Sequence, residues 1–113
     1  MFLSVTRDKE GLSGIINIHL KDVCFLESYG NLIVVNTYEE EFYLFGTLQL
    51  WFNALSGSDL PFERVDRPYV ANLAKVTRVE KEWYKLHFGK KFCTVTARRF
   101  PEIMKKLEQL KKV

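Results

Sequence analysis

From residue 14 to residue 45 the apolar side chains recur at every second position in short bursts, each cut off by turn-forming or charged residues. Ile16, Ile18 and Leu20 fall on one side of an extended chain, with Asn17 and His19 on the other. That period of two marks a half-buried strand. Residues 23–26 resume as a more fully buried strand. Residues 27–31 supply turn chemistry, with Gly30 free to take a positive φ. The β-branched run 32–37 then reads as the returning strand of a hairpin. Glu39, Glu40 and Glu41 mark an exposed turn before another strand at 42–45.

The rest of the chain continues in short elements. Thr47 is placed to cap a helix whose Leu48, Leu50, Trp51 and Leu55 share one side. Residues 56–59 end it. Residues 62–72 read as a tight connection with Arg64 and Arg67 at its apex and Pro68 fixing its backbone. Residues 74–80 and 83–88 look like a strand pair turning at Lys81 and Glu82, and 92–96 like a last strand after the turn at 89–91. Phe100, Ile103, Met104, Leu107 and Leu110 recur at three- and four-residue steps, the signature of an amphipathic helix. Pro101 is tolerable only in its first turn, so the helix starts near 98–100. Residues 1–13 show little periodicity beyond a turn at 8–11. The expectation is a mainly β chain, a single domain over residues 1–113, with two modest helices.

Charge divides this chain. Residues 1–61 carry three Lys or Arg against eight acids, a net of −5; residues 62–113 carry fourteen against six, a net of +8. A half-chain that basic suggests a polyanionic partner. A solvated lysine surface accounts for Lys105, Lys106, Lys111 and Lys112 better than for Arg98 and Arg99. The apolar runs are far too short to span a bilayer, and charges follow residues 1–5 too closely for a secretory signal. Cys24 and Cys93 sit in apolar segments without neighbouring Cys or His, which fits buried thiols in a reducing cytoplasm better than a disulfide.

Catalytic chemistry finds no foothold. His19 and His87 stand at alternating strand positions with no Cys or Ser partner in a known arrangement. Glu39, Glu40 and Glu41 lack the loop glycine and Asp spacing of a cation site. Gly11 and Gly14 do not open a helix after a strand, as a phosphate loop would. The expectation is therefore no enzyme, no cofactor, no metal and no small-molecule substrate. Most aromatic residues sit at apolar-periodic positions and read as core, with Tyr29 in its turn the exception. What remains is a set of polar and basic residues at element ends: Ser28, Asn31, Thr47, Arg67, Thr96, Arg98 and Arg99. Arginine can lie bidentate on guanine edges or on phosphate, and asparagine can do the same with adenine. By composition alone, nucleic-acid binding and an ordinary basic surface stand level.

Several segments also resemble one family in order and spacing. Val23-Cys24-Phe25-Leu26-Glu27-Ser28 is similar to the aliphatic, apolar, apolar, Glu opening of the LytTR family, the β-type DNA-binding domain of bacterial response regulators. Phe62 and Arg64-Val65-Asp66-Arg67-Pro68-Tyr69-Val70-Ala71-Asn72 resemble its central signature. Val76 and Val79 fit the aliphatic positions after it, and Thr96-Ala97-Arg98-Arg99 resembles its terminal Ser-Arg-Arg element. The resemblance runs from about Gly14 to Leu107.

It implies an elongated arrangement of small antiparallel sheets with short helices, whose loops enter successive major grooves of double-stranded DNA. By position it places Asn31 in a major groove, Arg67 at the central base-contacting site, Arg98 at the terminal base contact, and Thr96 and Arg99 on phosphate. Asn72 is implied to be structural. It further implies direct repeats bound by two copies, transcription regulation in a two-component system, and control by a receiver domain or a membrane-protein regulator on another chain. Two residues depart from the family pattern. Asp66 stands where the family has His and brings negative charge towards DNA unless Arg64 or Arg67 pairs with it. Pro68 stands where the family has Ser and lacks both a hydroxyl and an N–H. These departures favour the rival expectation, a protein-interaction module of the same fold that has lost DNA binding. Single-stranded nucleic-acid binding would instead require Tyr29 and other aromatics exposed together on one face.

Overall fold

Ten strands and two helices account for most of residues 1–111, the part of the chain that the computed structural model describes. Strands β1 (Phe2–Thr6), β2 (Ile15–His19), β3 (Phe25–Tyr29), β4 (Leu32–Asn36) and β5 (Glu41–Phe45) come first, then helix α1 (Leu48–Leu55). Strands β6 (Phe62–Asp66), β7 (Tyr69–Asn72), β8 (Arg78–Glu80), β9 (Lys85–Phe88) and β10 (Lys91–Thr94) follow, and helix α2 (Phe100–Lys111) closes the described chain. Lys112, counted above with the lysine tail, lies outside the described residues.

All pairings are antiparallel. One sheet runs in the order β2-β1-β5-β4-β3-β7-β6 and a second in the order β10-β9-β8. The larger sheet is articulated: β1 meets β5 through the single pair Thr6 and Tyr43, whereas β3, β4 and β5 pair along their full lengths. The molecule measures 41 × 28 × 26 Å along its principal axes. The mainly β, elongated architecture expected from the sequence is thus the one observed.

Strand alternation sends residues to both faces of the large sheet, and each face has its own core. Leu26, Ile33, Val35, Phe42, Leu44 and Val70 pack with Leu48 and Leu55 of α1. On the opposite face Phe25, Val65 and Ala71 pack with Leu86, Phe88 and Cys93 of the small sheet and with Ile103 and Leu107 of α2. Burying a side chain such as Leu26 or Phe88 fully is worth about 1.5–3 kcal/mol, so β3 and β7, covered on both sides, form the stable spine. Both cysteines are free and buried. Burial pushes the Cys24 thiol up to about 11 and the Cys93 thiol higher still.

The structure departs from the sequence reading in four places, one of them Trp83, which lies in a 3₁₀ turn rather than a strand. Residues 2–6 form strand β1, where Leu3 and Val5 are buried and Phe2 and Ser4 exposed. The stretch 62–72 is a β-hairpin rather than a bare connection, with a bulge between Arg64 and Asp66. The predicted strand 74–80 is a single 3₁₀ turn, Leu73–Lys75, followed by the three residues of β8. The turn from β5 into α1 needs Gly46: its φ is +125°, and a Cβ there would lie 2.7 Å from Nε1 of Trp51. That close approach lets the Trp51 indole N–H donate to the Phe45 carbonyl at 2.8 Å and sets Thr47 at the head of α1.

Candidate nucleic-acid interface

Antiparallel order collects the predicted residues at one end of the large sheet. Across β5-β4-β3-β7-β6, this end holds the last residue of β5, the Gly30–Asn31 loop between β3 and β4, and the Arg67–Pro68 loop between β6 and β7. Thr47 follows β5 there. Ser28 joins the two loops, since its N–H donates to the Pro68 carbonyl at 2.9 Å. The chain after β10 reaches the same place, because the Thr96 N–H donates to the Val65 carbonyl at 3.0 Å. Seven residues scattered over about seventy positions of sequence therefore lie towards one end of the large sheet.

Four arginines meet here in two different states. The Arg64 guanidinium donates to Gln49 Oε1 at 2.8 Å and to the Arg67 carbonyl at 2.7 Å. Arg99 donates through Nη1 to the Arg64 carbonyl at 3.2 Å. Arg67, Arg98 and Arg99 are all exposed, but the guanidinium groups of Arg67 and Arg98 make no hydrogen bond or ion pair among the described residues. Arg64 and Arg99 are each hydrogen-bonded to the end of the sheet, and Arg67 and Arg98 are not.

Of the outcomes the sequence left open for Asp66, ion pairing with Arg64 or Arg67 is not the one observed. The Asp66 carboxylate accepts the backbone N–H of Arg67 at 2.7 Å and the hydroxyl of Thr94, and pairs with no guanidinium. The acid therefore ties the Arg67 loop to β10 and leaves the Arg67 side chain free. Both threonines act as helix-start acceptors: Thr47 Oγ1 takes the Leu50 N–H at 3.1 Å, and Thr96 Oγ1 takes the Arg99 N–H at 3.2 Å. Each hydroxyl keeps its own proton for donation. At the foot of the hairpin, fully buried Asn72 donates to the Val23 carbonyl at 3.0 Å and accepts the Ala74 N–H at 3.1 Å. Lys106 spans Glu63 at 3.0 Å and Glu102 at 3.2 Å, which fastens α2 to β6; the Glu63 carboxylate is the main reason its ammonium titrates higher than usual.

The family of LytTr DNA-binding domains matches this chain over residues 13–108. The chain belongs to the LytTR family. A solved structure described as the LytTr DNA-binding domain of a methyl-accepting/DNA response regulator from Bacillus cereus superposes with a TM-score of 0.72. It is 19% identical, and the match covers 95% of each chain. No curated protein matches the chain. The matching family model is that of a DNA-binding domain. No helix among the described residues is long and apolar enough to cross a membrane.

Within this LytTR fold the sequence reading named Arg64 but not its bonds to Gln49 and the Arg67 carbonyl, and it missed Gln49 itself and Thr94, which holds Asp66. Arg64 stood in the signature, three residues before Arg67, whose carbonyl it bonds. Nothing in the sequence around Gln49 or Thr94 announces a partner so far along the chain.

Proposed function

We propose that this LytTR domain reads double-stranded DNA sequence-specifically in bacterial transcription regulation, in the cytoplasm, with its loops in successive major grooves. The carrying observation is the division among the four arginines. Arg64 and Arg99 are bonded into the framework, and Arg67 and Arg98 stand free upon it. Guanidinium groups presented singly from a braced support suit bidentate contact with guanine edges. Asn31 adds a third base contact, and Ser28, Thr47, Thr96 and Arg99 place phosphates, which supply affinity and its salt dependence. Two copies on direct repeats, with regulation from a receiver domain or a membrane-protein partner, complete the reading.

Selection of bound sites from random duplex DNA supplies the cognate sequence. On that site Arg98→Ala costs about 1–3 kcal/mol and relaxes preference at one base pair. Equal losses on cognate and random DNA overturn the assignment of Arg98 to base readout. Duplex binding that does not weaken with salt, or no binding at all, points to the interaction module instead.

A further inference from the structure

A tryptophan that the sequence assigns to a strand stands in solvent beside the proposed DNA contacts. Trp83 is 65% exposed and lies in a 3₁₀ turn, Lys81–Trp83, between β8 and β9. The pair Glu80 and Lys85 closes the β8–β9 ladder, so residues 81–84 project beyond it. Lys85 also faces Thr94 across β9 and β10, and Thr94 bonds to Asp66. The Tyr84 carbonyl accepts the Val95 N–H at 2.8 Å, and the Tyr84 ring meets Phe100 edge-on at 4.9 Å. This corner therefore adjoins the 94–100 segment that carries Thr96, Arg98 and Arg99.

Its backbone is unusual. Tyr84 has φ 51° and ψ 51°, and it is the only residue other than glycine with positive φ among those described. Such a conformation is disfavoured for a residue with a Cβ and is kept where surrounding structure enforces it. Here it reverses the chain, so that the Tyr84 ring, still 41% exposed, rests on Phe100 while Trp83 has no aromatic partner among the described residues and stands further out in solvent. Lys81 and Glu82 are exposed beside it, and the Lys85 ammonium lies 4.3 Å from the centre of the Phe92 ring. An exposed indole on a turn that also carries Lys81, with Lys85 at its foot and Glu82 between them, offers a flat apolar surface near cationic groups, which suits a nucleic-acid strand.

We propose that the β8–β9 corner is a further DNA-contacting element, with the Trp83 indole against the sugar and base of a nucleotide beside those met by Arg98, and Lys81 on an adjacent phosphate. The proposal rests on the DNA-binding reading above. Trp51, bonded to Phe45 and half-buried, is the only other tryptophan, so intrinsic fluorescence reports on the corner directly. Wild type and Trp83→Phe are titrated with a random-sequence duplex of about two helical turns, roughly 21 bp, at low salt, alongside an electrophoretic shift.

The wild-type emission is quenched and its access to acrylamide falls as the shifted band forms, whereas Trp83→Phe shows neither change. Trp83→Ala weakens duplex affinity about five- to tenfold, in the range of single stacking contacts, with an unchanged thermal midpoint. A shifted band with unaltered wild-type emission and full affinity in Trp83→Ala overturns this inference alone. Absence of any shifted band overturns the DNA-binding reading and this inference with it.

Discussion

Gly30–Asn31 and Arg67–Pro68 close neighbouring hairpins at the same end of one sheet, yet only the second is held by side chains. The first loop is two residues long, with Gly30 at φ +61° and no heavy atom within 4 Å of the place where a Cβ would stand. Asn31 is exposed there. Two side chains grip the second loop, Arg64 bonding the Arg67 carbonyl and Asp66 the Arg67 N–H, and the Ser28 backbone N–H adds a bond to the Pro68 carbonyl. A free tip can adjust to a groove at an entropic cost on binding, whereas a braced tip meets that cost during folding. Arg67 is thus presented in a fixed frame and Asn31 in a compliant one.

The largest test of that contrast lies at the foot of the braced hairpin. Asn72→Ala leaves the Val23 carbonyl and the Ala74 N–H without partners and lowers unfolding free energy by about 2–4 kcal/mol. Asn31→Ala stays within about 0.5 kcal/mol of wild type, as exposed positions do, and alters only DNA affinity. Urea denaturation measures both, and comparable losses would erase the distinction between the two tips.

Arg64→Met comes next, with about 1–2 kcal/mol of stability lost for the charged hydrogen bonds and weaker duplex binding through a loosened Arg67. Arg64→Lys does not restore either, because a single ammonium cannot span Gln49 and the Arg67 carbonyl as a planar fork does. Recovery by lysine in a melting and binding comparison would show that charge alone suffices.

Asp66→Asn is smaller and opposite in sign. It keeps an acceptor for the Arg67 N–H and removes a negative charge, so random-duplex affinity rises about two- to fivefold at low salt and the gain fades at high salt. A loss of affinity would mean that the charge itself orders the loop.

The smallest effect belongs to Glu27, beneath the compliant tip. Burial, then the Glu41 carboxylate, raises its carboxyl above the ordinary 4.5. The folded state therefore favours the protonated form; that contribution is complete below the ordinary value and is lost as pH rises through the raised one. Glu27→Gln raises the thermal midpoint near neutral pH and leaves it unchanged at about pH 3. An equal shift at both values would assign the effect to packing.

Most elements could be read from the sequence because their apolar spacing is regular: β2, β4, β5, α1 and α2 all follow it. Strand β1 escaped because Leu3 and Val5 make only two alternations before the charges begin. The 62–72 hairpin looked like a connection because its bulge moves the buried position from 64 to 65, which breaks the period of two. Trp83 was misplaced for a local reason, since its neighbours alternate as a strand would while Tyr84 turns the chain over. At the interface, the structural role of Asn72 was legible through the central signature, and Arg67 and Arg98 were singled out by that signature and by the terminal element. The bonds that sort the arginines were not, because Gln49 and Thr94 come from distant elements brought together only by sheet order.

That sheet order also governs when the molecule can form. Strand β3 is completed early in synthesis, but its second neighbour, β7, follows only after β4, β5, α1 and β6. Until then one edge of Phe25–Tyr29 is unpaired, and the side of the sheet that ends up against α2 is bare. Chains dominated by such distant pairings fold in roughly milliseconds to seconds, slowly enough for the nascent N-terminal half to need shielding at that edge. The same order means that truncation before residue 69 removes the partner strand of β3, so the isolated acidic half is expected to associate rather than fold alone.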